Sequence, residues 1–293
     1  MTNSAKEPFY FTEAELPYGK EGIKISVLVS ETLLDEKSEY GHIQVFDTAF
    51  FGKMLVIDGI IQTTVYDEFI YHEMMVILPS LRIEEPQSVL IIGGGDGGAT
   101  KQALRVKSLK NIVMAEIDTT VVDVSKEFLP EISGGAFDDP RVELIIQDGV
   151  EYIREHKAEF DLVVLDSTDP VPGSPAEYLF SEEFYHEVKD ALKPGGAVAL
   201  HGGSITFQPA EVTTLIQRLR RVFKYVDLYP AIVPAYQLSL FGFINASDQP
   251  QAKTAEVERW MQNIEGQNKY LSSEVYETLG VLPPYIQREL GLY

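Results

Sequence analysis

The chain contains no cysteine, and this absence removes several kinds of chemistry. Its 293 residues cannot form disulfides, bind metals through thiolates or use a cysteine nucleophile. Long apolar runs are missing too, since no segment approaches the roughly 18 residues that a membrane-spanning helix needs. The first residues also lack the basic region and apolar stretch of a secretory signal. We therefore expect a cytoplasmic protein without a membrane partner.

Positive charge is scarce. The chain has 24 Lys and Arg residues against 45 Asp and Glu residues, which gives a formal net charge of −21. A phosphate backbone requires a basic surface, so this composition argues against a nucleic-acid partner. The acidic excess either keeps the protein soluble or attracts a cationic substrate. The five histidines are scattered without metal-ligand spacing, so we predict no metal site.

Two hydrophobic patterns divide the chain. Residues 1–66 show short alternating stretches separated by turns, which predict a small antiparallel β-domain. Residues 67–293 begin with a predicted helix at 67–81 and then alternate apolar strands with helices. The strands are predicted at 88–93, 111–118, 141–149, 160–167 and 196–202, and the helices near 98–107, 119–128, 149–156, 181–192 and 209–222. Two later strands and a short helical tail follow. The pattern predicts an α/β fold whose parallel sheet is covered on both faces.

A glycine-rich loop follows the first of these strands. The segment VLIIGGGDGGATKQAL, residues 89–104, surrounds Asp96 with five glycines. Glycines allow a ligand to approach the backbone closely, but Asp96 would repel a pyrophosphate at the helix N-terminus. A nucleoside that carries a cationic tail and no phosphate satisfies both features.

Carboxylates follow the next strands at equivalent points. Glu116 ends the second strand, Asp148 the third, and Asp166 and Asp169 of DSTDP the fourth. Ligands of open α/β sheets bind at this edge, where an acid after the second strand commonly holds a ribose. Taken singly, Asp148 could belong to a turn, and Asp166 or Asp169 could cap a helix. Their common register favours a binding site.

These motifs closely resemble the spermidine synthase family of polyamine aminopropyltransferases. The resemblance rests on VLIIGGGDGG, EID, DDPRVELIIQDG, FDLVVLDSTDP and LVIDGIIQTTVYDEFIYHEM, and it extends from about residue 25 to the C-terminus. It implies an N-terminal β-domain ahead of a Rossmann-like, doubly wound domain of the methyltransferase type, assembled as a homodimer or tetramer. It also implies transfer of an aminopropyl group from decarboxylated S-adenosylmethionine, a co-substrate, to a small cationic polyamine, without a prosthetic group.

The resemblance also implies residue roles. It places the donor against His72, Asp96, Glu116, Asp148 and Gly149. It makes Asp166 the catalytic proton acceptor, and it places the amine against Tyr71, Asp166, Asp169, Pro175 and Tyr236.

Four departures from the family pattern leave the acceptor open. Gly41 replaces a glutamine of the donor pocket and is expected to open space there, while His201 stands where the family has a glutamine. The gate segment 169–180 is longer than usual, and YQLSLFG at 236–242 replaces a different loop. We expect putrescine as acceptor, with agmatine, cadaverine or a longer polyamine, or a carboxylated donor, as alternatives. An S-adenosylmethionine-dependent methyltransferase and a non-catalytic polyamine-binding protein remain alternatives from other classes, and Asp96 disfavours an NAD dehydrogenase.

Overall fold

The computed structural model describes residues 8–14, 24–169, 173 and 175–292. The N-terminal part of this described chain forms an antiparallel sheet with the strand order β1-β2-β3-β4-β5. The strands are β1 (Phe9–Thr12), β2 (Ser26–Lys37), β3 (His42–Thr48), β4 (Gly52–Ile57) and β5 (Ile60–Thr64). The predicted antiparallel β-domain is confirmed, and strand β1 is an addition that the sequence pattern did not indicate.

Both faces of this sheet are buried in part. One face packs Val29, Phe46 and Met54 into a cluster that also includes Ala235. The other face contributes Ile43 and other apolar residues to a cluster shared with Val121, Val124 and Ile132, which lie in helical segments of the α/β part. The N-terminal sheet is therefore fixed against the second sheet by apolar contact.

The second sheet has the strand order β11-β12-β10-β9-β6-β7-β8. Its strands are β6 (Ser88–Gly93), β7 (Asn111–Glu116), β8 (Val142–Ile146), β9 (Phe160–Asp166), β10 (Leu192–Ser204), β11 (Tyr225–Ile232) and β12 (Leu240–Ser247). The predicted parallel arrangement is confirmed for β6 to β10, whereas β12 and β11 pair antiparallel at one edge. Strand order reverses between β6 and β9, the point where open α/β sheets bind ligands.

Helices cover both faces of the second sheet. They are α1 (Glu68–His72), α2 (Leu78–Ser80), α3 (Gly98–Arg105), α4 (Thr119–Phe128), α5 (Pro130–Ser133), α6 (Gly149–Glu155), α7 (Glu182–Ala191), α8 (Pro209–Val222), α9 (Thr254–Met261), α10 (Ser273–Thr278) and α11 (Pro284–Glu289). Short 3₁₀ turns occur at Ala136–Asp138 and Pro175–Phe180. The large apolar clusters on the two faces of the sheet form the core. Within the described residues, no helix combines the length and apolar character that crossing a membrane requires.

The helix predicted at 67–81 contains a π-helical turn at Glu73–Ile77, between α1 and α2. Pro79 lies two residues after the end of this turn, and a proline cannot donate to the carbonyl four residues earlier. The wider turn accommodates that missing hydrogen bond. Glu73 within it accepts hydrogen bonds from the backbone N–H groups of residues 269–271, at 2.8–3.0 Å. The π turn therefore joins this helix to the C-terminal segment.

Candidate active site

A cavity of about 860 Å³ lies at the carboxyl edge of the parallel strands, with the N-terminal sheet forming its opposite wall. Most of the predicted site residues line it: Tyr71, Asp96, Glu116, Asp148, Gly149, Asp166, Asp169 and Tyr236. His72 lies behind Asp96 and is 1% exposed. The 3₁₀ turn at Pro175–Phe180 begins with Pro175, but the side chain of Pro175 lies outside the described part of the chain.

The glycine loop allows β6 and β9 to approach each other closely. Gly93 has a φ of +83°, and a Cβ atom there would lie 2.2 Å from the carbonyl oxygen of Asp166. A Cβ atom at Gly94 would lie 3.0 Å from the Asp166 carboxylate, and one at Gly95 would lie 2.9 Å from the Glu116 carboxylate. The glycines are thus required by the protein itself, because they let two carboxylates converge on the loop.

Asp96 already has partners within the protein. Its Oδ1 accepts from the backbone N–H of Gly98 at 2.7 Å, and its Oδ2 lies 3.4 Å from Nε2 of His72. On the other side of the ring, Nδ1 of His72 lies 3.0 Å from Glu68, which also pairs with Lys101 at 2.9 Å. Two carboxylates and two cations therefore alternate in one buried network.

This network fixes the charge of His72. Burial would lower the pKa of His72, but Asp96 and Glu68 outweigh that effect and raise it to about 10. Burial would likewise raise the pKa of Glu68, yet His72 and Lys101 lower it to about 2. His72 is consequently an imidazolium at neutral pH, so Asp96 faces the cavity with part of its charge compensated.

The acids after the next two strands combine two roles. Asp148 caps α6 by accepting from Val150 N–H at 2.8 Å, and the same residue lines the cavity. The turn interpretation and the binding interpretation of this residue are therefore compatible. Glu116 accepts from the backbone N–H of Asp118 at 2.9 Å. The pKa of Glu116 is raised to about 7. Burial is the main cause, and the neighbouring carboxylates of Asp118 and Asp166 add to it.

Asp166 is held by a tyrosine and not by a helix terminus. The hydroxyl of Tyr71 donates to its Oδ1 at 2.7 Å. Burial and then the charge of Asp96 raise the pKa of Asp166, while the hydrogen bond from Tyr71 and the charge of His72 act in the opposite direction. Burial also raises the pKa of Asp169. A carboxylate with a raised pKa accepts a proton more readily near neutral pH, which suits a general base.

Aromatic rings surround this part of the cavity. Tyr71 and Tyr236 meet edge to face with their centroids 5.7 Å apart, and Tyr236 lies 4.8 Å from Phe241. The hydroxyl of Tyr236 donates to the backbone carbonyl of Gln62. Ring faces next to carboxylates favour a cationic ligand.

Glu13 is a cavity residue that the sequence interpretation missed. It follows strand β1, is 8% exposed, and accepts from the backbone N–H of Ile61 at 3.0 Å. Burial, foremost, and the charge of Asp169 raise its pKa. Gln237, in a left-handed turn with Leu238, donates its amide to Glu13 at 3.2 Å. The residues around Glu13 are typical of an exposed segment, so the local sequence does not indicate that Glu13 lines a cavity.

One sequence expectation about the donor pocket is wrong. Gly41 was expected to open space, but a Cβ atom there would lie 2.9 Å from Oδ2 of Asp58. Asp58 and Tyr40 line the cavity at this point, so the Asp58 carboxylate occupies the space in question. The expectation of a longer gate concerns residues 169–180. Residues 170–172 and 174 of this segment lie outside the described residues, so the expectation stays a prediction.

Comparisons with known proteins agree with this geometry. Residues 68–256 match the model of the spermine/spermidine synthase domain, and residues 9–65 match the spermidine synthase tetramerisation domain. The chain is 40% identical over 284 residues to a polyamine aminopropyltransferase of Thermoanaerobacter sp. (strain X514), covering 95% of this chain and 97% of that protein. It is 41% identical over 268 residues to one of Thermoplasma volcanium, covering 91% and 94%.

Solved structures show the same similarity over the whole fold. A spermidine synthase in complex with the transition state analogue AdoDATO has a TM-score of 0.91 and 29% identity, covering 100% of this chain and 98% of that one. The spermidine synthase of Thermotoga maritima has a TM-score of 0.89 at 29% identity, with the same coverage. The chain therefore belongs to the spermine/spermidine synthase family, and it is a polyamine aminopropyltransferase.

Proposed function

We propose that this enzyme transfers the aminopropyl group of decarboxylated S-adenosylmethionine to putrescine, giving spermidine and methylthioadenosine. The observation that carries the proposal is the buried Asp166, held by Tyr71 in a cavity that also presents Asp96, Glu116 and Asp148. The likeness to a spermidine synthase solved with the analogue AdoDATO supports the choice of donor.

The donor occupies the half of the cavity next to the glycine loop. Glu116 binds the ribose hydroxyls, Asp148 and Gly149 contact the adenine, and Asp96, positioned by His72, binds the amine of the tail. Because the decarboxylated donor ends in an ammonium group and has no carboxylate, it suits a pocket rich in acids.

The acceptor occupies the other half, next to Asp166, Asp169, Pro175, Tyr71 and Tyr236. An alkylamine with a pKa near that of lysine, about 10.4, is neutral in fewer than about one molecule in a thousand at pH 7. Asp166 takes the proton, and the freed lone pair attacks the carbon bound to the sulfonium. The new C–N bond forms as the C–S bond breaks, and sulfur leaves as a neutral thioether.

Two further features belong to the proposal. The match of residues 9–65 to a tetramerisation domain supports a homo-oligomer, either a dimer or a tetramer. We also propose that residues 1–66 and 67–293 form the two domains, and a cytoplasmic location remains a prediction.

The experiment is a product assay. The enzyme is incubated with decarboxylated or intact S-adenosylmethionine and with putrescine, agmatine, cadaverine or spermidine, and the products are identified by mass. We expect spermidine and methylthioadenosine, with kcat/KM for putrescine at least tenfold above that for the other amines. Another amine leading by that margin would refute putrescine, and adenosylhomocysteine from the intact donor would indicate a methyltransferase.

A variant links the activity to Asp166. Asp166→Asn should lower kcat about 10²–10⁴-fold, the usual contribution of a general base. Binding of methylthioadenosine, measured by calorimetry, should persist because Glu116 and Asp148 are unchanged. Retention of the wild-type kcat would show that Asp166 is structural.

A further inference from the structure

His201 occupies a fixed position at the acceptor end of the cavity. It lies on β10, is 5% exposed, and its ring stacks on Phe241 with centroids 6.0 Å apart and planes 21° apart. Phe180 meets the ring edge to face at 5.4 Å. The ring lines the main cavity and also a neighbouring cavity of about 300 Å³, and Asp169 does the same. Aromatic contact on two sides thus sets the direction in which each ring nitrogen points.

Hydrogen bonding determines which nitrogen carries the proton. Nε2 lies 2.9 Å from the backbone carbonyl oxygen of Ser167, which can only accept, so Nε2 is the donor. In the neutral ring Nδ1 is then a bare acceptor. Within the described part of the chain, Nδ1 is buried without a hydrogen-bond partner. Its charged neighbour is Oδ1 of Asp169, at 3.9 Å, which is another acceptor.

We infer that His201 is an acceptor-binding residue whose Nδ1, together with Asp169, binds the far ammonium group of the amine substrate. Two acceptor atoms 3.9 Å apart can both be reached from one nitrogen through hydrogen bonds of about 2.8–3.0 Å. A primary ammonium offers three N–H donors and no acceptor, so it complements this pair. An amine substrate that ends in a methyl group leaves both atoms without a partner.

This inference rests on the proposed function and makes it more specific. His201 and Asp169 select for a second ammonium at a fixed distance from the attacking nitrogen. A misplaced far group would move that nitrogen out of line with the breaking bond. The pair is therefore a determinant of which di- or polyamine is used.

The test compares two substrates that differ in the far ammonium. Putrescine has one, and n-butylamine, of the same chain length, does not. His201→Phe keeps an aromatic ring but removes both nitrogens. We expect kcat/KM for putrescine to fall about 10- to 100-fold, the usual effect of losing a hydrogen bond to a charged group. The value for n-butylamine should change less than about twofold, and the KM of the donor should not change.

Two outcomes would overturn the inference. An equal fall for both amines would show that His201 supports the fold of the pocket, and no fall for either would show that it does not bind the amine. His201→Gln should restore the preference for putrescine, because its amide can donate to Ser167 and still present an oxygen. His201→Met provides the same comparison if the phenylalanine variant does not fold.

Direct binding separates this inference from the proposed function. Putrescine is titrated by calorimetry into wild-type and His201→Phe protein, each saturated with methylthioadenosine. If the wild-type protein transfers an aminopropyl group to no amine, the proposed function fails, while weaker putrescine binding to the variant still supports the role of His201. Equal binding to both proteins, or none to the wild type, overturns it.

Discussion

Replacing Tyr71 by phenylalanine should shift the pH dependence of the reaction. The hydroxyl of Tyr71 donates to Oδ1 of Asp166 at 2.7 Å and thereby stabilises the carboxylate form. Burial and Asp96 raise the pKa of Asp166, and this hydrogen bond opposes them. Without it, the pKa of Asp166 must rise further. A hydrogen bond to a buried charged group contributes about 1.5–3 kcal/mol, which corresponds to about one to two pKa units.

The assay is a pH profile of kcat/KM for putrescine. The proposed base acts when it is deprotonated, so activity declines as pH falls through the pKa of Asp166. In Tyr71→Phe this acidic limb should move upward by about one to two units, with rates recovering at higher pH. Tyr236→Phe is the matched control, because that hydroxyl donates to the carbonyl of Gln62 and not to a carboxylate. An unchanged acidic limb in Tyr71→Phe, or an equal shift in both variants, would refute the assignment of Asp166 as the base.

Three other changes test the framework around the site. Gly98→Ala should weaken binding of decarboxylated S-adenosylmethionine measured by calorimetry, because a Cβ atom there would lie 2.1 Å from the ring of His72, which positions Asp96 for the amine of the tail. Gly280→Ala, where a Cβ atom meets nothing within 4 Å, should bind the donor normally. Glu73→Gln should lower the free energy of unfolding in urea by about 2–3 kcal/mol, because three backbone N–H groups donate to the carboxylate, and an unchanged midpoint would contradict this. The pKa of His72 rises from 6.5 to about 10 on folding, so its stabilisation is complete below pH 6.5 and is lost as pH rises through about 10. The melting temperature of wild-type protein should fall over that range more steeply than that of His72→Asn, and parallel curves would contradict it.

The sequence predicted the gathering of the acids because of a geometric property of parallel sheets. Strand ends that share one edge bring their following residues together, whatever their separation along the chain. Asp96, Glu116, Asp148 and Asp166 follow four strands at equivalent points, and all of them line the same cavity. Strand and helix positions were predictable for a similar reason, since apolar strands and amphipathic helices have different periods.

Contacts that cross between distant segments were not predictable. Glu13 reaches the cavity from the end of the N-terminal strand, and Gln237, whose side chain donates to it, is 224 positions away. The sequence shows that Gly41 has no side chain. That the Asp58 carboxylate occupies the space beside Gly41 depends on the hairpin geometry of β3 and β4. The spacing of Glu68 and His72 suits a pair on one helix face, yet the charge of the ring depends on burial and on Asp96 as well.

The charge of His72 changes the explanation of why the pocket prefers cations. From the sequence alone, the binding of a cationic donor tail was attributed to Asp96, but His72 lies 3.4 Å from it and is protonated at neutral pH. Among the described residues, Asp166, Glu116 and Asp148 make no salt bridge, and the neighbour of Asp169 is Nδ1 of His201 at 3.9 Å. Carboxylates without a cationic partner thus lie in both halves of the cavity, and in the proposed function a diamine brings two ammonium groups to one of them. A donor with an additional carboxylate would introduce a negative charge beside these acids in a buried cavity, where repulsion is weakly screened. In the proposed function, discrimination between the two donors therefore depends on the acids at both ends of the cavity, and Asp96 alone is insufficient to explain it.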